Sequence, residues 1–170
     1  MPGALGHLNV VDLSHTLAGQ YCARLFADFG ANVALVEPEE GSPIRRLKPF
    51  SGDGESLQFI HLNTGKRSLV IRGSDDPVLA DLMAGADVVV LSADGDGAVV
   101  SGRYPNAVVV VPSSFGSDGP RSGWQGPEIV LQALSGMMHN NGAAGREPLY
   151  GTGNRAEMAA GVGAYIGALT

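Results

Sequence analysis

Five short apolar runs, at residues 8–13, 33–36, 68–71, 87–91 and 107–111, are separated by segments that have either helical spacing or loop composition. The runs are Val-rich and too short for helices, which suits strands on a pleated, half-buried surface. Between the first two, Leu17, Tyr21, Leu25 and Phe29 recur every fourth residue, with Cys22 and Phe26 beside them, the stripe of an amphipathic helix. Gly30 follows where a helix end favours glycine. A β-α-β unit results, and strands joined by helical crossovers pair in parallel. The uninterrupted run at 107–111 fits a strand buried on both faces. The chain is therefore expected to be α/β: an open, mostly parallel, Rossmann-like sheet with helices on both faces and ligands at the carboxyl ends of its strands.

Residues 75–84 read as a helix opened by acidic side chains, which favour the positive end of its dipole. Another helix starts at Pro127 and Glu128 and runs to Gly136, and a last one starts near Arg155 or Glu157 and continues to Thr170. Residues 38–56 and 112–126 have loop composition, the first as a long surface loop, and residues 95–102 hold too many glycines for an assignment.

A chain of 170 residues with 44% apolar and 16% charged residues is one globular domain large enough to bury a core. Its lone cysteine, Cys22, excludes an internal disulfide and favours a reducing cytoplasm. No Cys/His spacing suits a metal, and no apolar stretch approaches the roughly 18 residues of a membrane span. A net charge of −6 argues against a nucleic-acid partner. Arg45, Arg46, Lys48, Lys66, Arg67 and Arg72 nevertheless cluster in one short region, opposed there only by Asp53 and Glu55, as a site for a small polyanion would be.

Two short motifs invite a nucleotide reading and fail on context. The run Gly151-Thr152-Gly153-Asn154-Arg155-Ala156 fits G-x-G-x-x-G/A before a helix, yet follows no convincing strand. It leaves a nicotinamide-dependent oxidoreductase as the weakest reading. The segment 63–68 resembles the end of a P-loop, but Ile60 stands where the first glycine belongs.

Stronger than either is an ordered series: VVDLSHTLAG at 10–19, LFADFGANV at 25–33, VEP at 36–38, GSPIRRL at 41–47, LNTGKRS at 62–68, ADVVV at 86–90, YPN at 104–106, FGSDGP at 115–120 and QALSG at 132–136. Together they resemble the family III CoA-transferases, the group of formyl-CoA transferase, carnitine CoA-transferase and the α-methylacyl-CoA racemases. Family members are considerably longer, so the resemblance implies that residues 1–170 are the N-terminal, CoA-binding nucleotide-fold portion, with the C-terminal portion absent.

The resemblance further implies transfer of CoA between an acyl-CoA and a carboxylic acid through an enzyme carboxylate. In AEMAAG at 156–161 the family's aspartate aligns with Glu157, one methylene longer, and Glu128 stands where the transferases place a second acidic group. Racemases carry a His-Asp pair at the latter place; here it is Pro127-Glu128, so the racemase reading falls behind. Coenzyme A, as substrate, would be held by His15, Thr16, Leu17 and Ala18 at a helix start, by Arg45, Arg46, Lys66 and Arg67 on its phosphates, and by Ile71 beside the adenine. No metal is implied.

Three departures stand against this pattern: Leu35 for a basic residue, Gln20 for a proline, and Ser92 to Gly97 for an Asn-aromatic-x-Pro-Gly segment. They raise the alternative of a non-catalytic CoA-binding or scaffold subunit of a split or fused transferase. The apolar last helix, with Gly163 and Gly167 four apart, points to a homodimer or to pairing with a C-terminal half.

Overall fold

The computed structural model describes residues 3–170. Five strands, β1 (Asn9–Asp12), β2 (Asn32–Glu37), β3 (Arg67–Val70), β4 (Val88–Val90) and β5 (Val108–Val110), form one sheet in the order β3-β2-β1-β4-β5. Every neighbouring pair is parallel. The order reverses direction between β1 and β4, so the carboxyl ends of these two strands form the crevice in which open α/β sheets bind ligands.

Helix α1 (Leu17–Asp28) starts where the Thr16 side chain accepts the Gly19 amide. It stops where Gly30 takes φ +96°, a conformation that side chains resist. Its Cys22, Ala23 and Phe26 pack on Val10, Val33, Val88 and Val90, and Ala164, Tyr165 and Ala168 of the last helix, α6 (Arg155–Ala168), join them. The opposite face of the sheet buries Val11 and Val89 beneath Met83 and Leu79 of α3 (Pro77–Ala84) and Val100 of α4 (Gly97–Arg103). Helices thus cover both faces, as expected of an α/β sheet.

The expectations at 107–111 and 38–56 need correction. Strand β5 is an edge strand, not one buried on both faces, and Val108 is 46% exposed, because nothing pairs with its outer side among the described residues. The 38–56 segment is not a free surface loop. A 3₁₀ turn (Pro43–Arg46) buries Ile44, and Ser42 and Ser56 are buried with it.

Two helices have no counterpart in the sequence reading. Helix α2 (Leu57–Asn63) is capped by Ser56, which accepts the Phe59 amide, and α4 is capped by Asp96, which accepts the Val99 amide. Both are short, and the glycines around α4 mask its periodicity. Helix α5 (Glu128–Leu134) begins at the expected place.

Candidate active site

Helices α1 and α6 pack closely enough to bring residues distant in sequence together. A methyl group added at Gly161 of α6 would lie 2.7 Å from the Ala18 carbonyl oxygen and 3.1 Å from Tyr21 Cβ, so only glycine permits this approach. One turn earlier on α6, Glu157 reaches the start of α1, where the Ala18 amide donates to its Oε2 at 3.2 Å. A helix start presents free N–H groups and positive potential, both suited to a carboxylate. The contact lies beyond the end of β1, at the switch point.

Glu128, on α5, performs the same service for α6. Its Oε1 accepts the Ala156 amide at 2.7 Å and its Oε2 the Glu157 amide at 3.3 Å. Asn154, at the cap position of α6, makes no side-chain capping bond, so Glu128 supplies the missing acceptors. The two acidic residues singled out from the sequence are thus brought together by the Glu128 carboxylate on the Glu157 backbone amide, not carboxylate to carboxylate. Glu157, Thr16, Ala18, Ser113, Ser114 and Leu131 line a pocket of about 80 Å³. It shares Ala93, Ser113 and Ser114 with a cleft of about 940 Å³ between α4 and the 113–127 loop.

His15, Thr16, Leu17 and Ala18 sit together at the start of α1, as the helix reading requires. The exposed His15 donates its amide to Ser92 Oγ at 2.8 Å, and its Nε2 lies 3.5 Å from Asp94 Oδ2. Leu13, His15, Val36, Pro38 and Ser42 line a second small pocket, of about 180 Å³, over the ends of β1 and β2. Ile71 is buried just past β3, its amide bound to the Glu37 carbonyl.

The basic cluster does not survive folding as a free patch. Lys66 was expected at a phosphate, but its side chain is 1% exposed and its ammonium meets Asp12 Oδ2 at 2.8 Å, the Gln20 carbonyl at 2.7 Å and Asn63 Oδ1 at 2.8 Å. Three acceptors use all three of its protons, so its phosphate assignment gives way to a structural one. Burial pushes its pKa down, against the upward pull of Asp12. Arg45 forks onto buried Glu37 at 2.6 and 2.8 Å and lies over the Phe59 ring. Arg67 turns toward Asn32 at the amino end of β2, and Arg72 pairs with Glu39 at the surface. Arg46 is exposed and reaches only the Glu40 carbonyl, at 3.3 Å. The sequence region holds few acids, but Asp12, Glu37 and Glu39 arrive from outside it.

The nucleotide lookalikes fall with the same geometry. Residues 63–68 run from the end of α2 into β3, whereas a P-loop runs from strand to helix. The run 151–156 follows no strand, since β5 ends at Val110. Among the described residues no helix is long and apolar enough to cross a membrane, and no cluster of three His, Cys, Asp or Glu is placed to hold a metal.

Gln132 opens the QALSG run at 132–136, where nothing in the sequence marks it for a role. It is fully buried and joins Glu128 to Gly151. Ser92, read only as a departure, accepts the His15 amide.

A doubly wound parallel sheet with a carboxylate held at a helix start over its switch point defines an α/β protein of the nucleotide-fold class. Residues 5–170 match the model of CoA-transferase family III, and the chain belongs to that family. It is 36% identical over 165 residues to a succinyl-CoA:mesaconate CoA-transferase of Haloarcula marismortui, an alignment covering 86% of this chain and 42% of that one. It is 32% identical to a subunit of succinyl-CoA:(R)-benzylsuccinate CoA-transferase from Thauera aromatica, covering 93% and 42%. The crystal structure of a CAIB/BAIF family protein from Brucella suis superimposes with a TM-score of 0.86 at 26% identity, over 99% of this chain and 49% of that one. The chain therefore spans less than half the length of these relatives. Their transferase names lend no support to a non-catalytic scaffold.

Proposed function

We propose that the protein transfers CoA from an acyl-CoA to a carboxylic acid through covalent intermediates on Glu157. The observation that carries this reading is the Glu157 carboxylate docked on the Ala18 amide at the switch point. In the first step a Glu157 oxygen attacks the thioester carbonyl; a C–O bond forms, the C–S bond breaks, and CoA leaves as thiolate. The thiolate then attacks the Glu157 carbonyl of the mixed anhydride, releasing the donor acid and leaving a Glu157 thioester. The acceptor carboxylate attacks that thioester and displaces the thiolate, which returns to the acceptor's acyl carbon and frees Glu157. In this reading the Ala18 N–H, which donates to Glu157 Oε2, supports the oxygen that gains charge at each attack on the Glu157 carbonyl.

In this reading CoA lies over the ends of β1 and β2, against His15, Thr16, Leu17, Ala18, Arg46 and Ile71. Glu128 fixes the start of α6. Residues 1–170 serve as the CoA-binding nucleotide-fold portion in the cytoplasm, completed by a C-terminal portion, and copies pair as a dimer. That pairing has open surface on α6, where methyl groups at Gly163 and Gly167 would meet nothing and Val162, Ile166 and Leu169 are exposed. Light scattering tests it, and a clean monomer at high concentration contradicts it.

The test of the chemistry is incubation with an acyl-CoA, followed by mass spectrometry. An adduct on Glu157, converted to a hydroxamate by hydroxylamine and lost in Glu157→Gln with CoA affinity retained, is the expected result. An adduct that persists in Glu157→Gln removes this residue from the mechanism.

A further inference from the structure

We propose that Gln132 is a positioning residue for the Glu157 reaction, acting through Glu128; the proposal rests on the reading of Glu157 as nucleophile. Gln132 is fully buried on α5, and both ends of its amide are engaged. Its Nε2 donates to Glu128 Oε1 at 2.7 Å and to the Gly151 carbonyl at 3.0 Å, while its Oε1 accepts the Gly151 amide at 3.0 Å. One side chain thus ties the carboxylate that caps α6 to the backbone just ahead of that helix.

The chain of contacts has a direction. Gly151 holds Gln132, Gln132 holds Glu128, Glu128 receives the Ala156 and Glu157 amides, and Glu157 reaches Ala18. Each joint is a hydrogen bond to a group whose rotation would move the next. Glu128 is a half-buried carboxylate on a short helix, and a single capping interaction would leave it free to rotate about its side-chain bonds. The Gln132 bond to Oε1 fixes which oxygen faces Ala156 and which faces Glu157. An amide is required here: a carboxylate would put negative oxygens against both Glu128 and the Gly151 carbonyl, and an apolar side chain would leave the buried Gly151 amide without its partner. Misplacing a reacting atom by about 1 Å costs on the order of 100-fold in rate, so a loosened Glu128 is felt at Glu157 without any change in what CoA touches.

The test follows the amides and the chemistry together. In the parent protein the Gly151, Ala156 and Glu157 amides should be protected from hydrogen exchange; rapid exchange there overturns the proposal before any variant is made. Gln132→Met, and Gln132→Glu of nearly unchanged volume should the first fail to fold, are then compared with the parent. Faster exchange at Ala156 and Glu157, with at least a ~10-fold slower Glu157 adduct and a KM for acyl-CoA within about threefold of the parent, is expected. A folded variant with parental exchange at these amides, or with a parental adduct rate, overturns it. So does a loss expressed in KM alone. A parent protein that forms no Glu157 adduct fails the nucleophile reading instead, and exchange at the two amides still decides whether Gln132 governs the start of α6.

Discussion

The Glu157 carboxylate accepts a hydrogen bond from the Ala18 amide across 139 residues of sequence, at 3.2 Å. The helices cannot close further to meet a shorter side chain, because α6 already stands as near to α1 as Gly161 allows. Glu157→Asp withdraws the carboxylate by one methylene, and the adduct should form on the order of 100-fold more slowly. The restored family residue giving an equal or faster rate would mean that the Ala18 contact is not the reactive arrangement.

Gly161 sets that spacing. Gly161→Ala places a methyl group 2.7 Å from the Ala18 carbonyl oxygen, so α6 must move away from α1. Overpacking of this kind costs about 1–3 kcal/mol. Urea unfolding should show the loss, and adduct formation at Glu157 should fall with it; unchanged stability would mean that the helices accommodate the methyl.

The sheet was legible because its signal is local: β1, β2 and β4 are short Val-rich runs, and α1 has apolar helical spacing. The face that α1 buries nevertheless carries Ala18, Cys22, Ala23 and Phe26, while Leu17, Tyr21 and Leu25 are only partly buried and Phe29, past the helix end, is 50% exposed. Helices α2 and α4 were not legible, since seven residues offer barely two turns of periodicity and neither opens on a Pro-Glu pair like the one that marks the equally short α5. Glu157 and Glu128 were legible only by resemblance to a family pattern, and nothing local says that one caps the helix bearing the other. The basic cluster misled for a physical reason. Charge counted along the sequence omits partners brought by the fold, and Lys66 finds its carboxylate in Asp12, 54 residues away. Gln20, a departure from the family pattern, is likewise a hub, donating to the Ser14 carbonyl and Ser42 Oγ while accepting from Asn63.

Glu37 makes the fold sensitive to acid. Burial works to raise its pKa, but the Arg45 guanidinium, the Ser68 hydroxyl and the Ser42 amide outweigh it and hold the carboxyl at about 2, below the ordinary 4.5. A group depressed in the folded state adds stability that is complete above the unfolded pKa and is lost as pH falls toward the folded one. The contribution should therefore fade between about pH 4.5 and pH 2. Arg45→Gln should move the acid-unfolding midpoint upward in circular dichroism, and an unmoved midpoint would contradict the pairing.

Cys22 should be chemically silent. It is fully buried among Val10, Phe26 and Val33, and its thiol is pushed up to about 12, by burial first and by nearby Asp12 second, with Lys66 opposing. Thiolates are the reactive form, so alkylation by iodoacetamide at pH 8 should wait for unfolding. Stoichiometric labelling of the native protein would show that α1 opens readily.

The Asp12–Lys66 pair should dominate the response to mutation. Both side chains are essentially unexposed, and their hydrogen-bond partners, Ser14, Gln20 and Asn63, come from the β1–α1 turn, α1 and α2. Removing one member leaves the other charge buried without compensation, which costs about 3–5 kcal/mol, whereas replacing both with neutral side chains of similar volume is often far milder. Lys66→Met should therefore destabilise severely, and Asp12→Asn combined with Lys66→Met should recover a large part of the loss in denaturant unfolding. A surface phosphate-binding lysine behaves differently: its removal barely changes stability and weakens CoA binding. Measuring unfolding and CoA affinity on the same variant separates the two roles, and a stable Lys66→Met with weakened CoA binding would return Lys66 to the ligand.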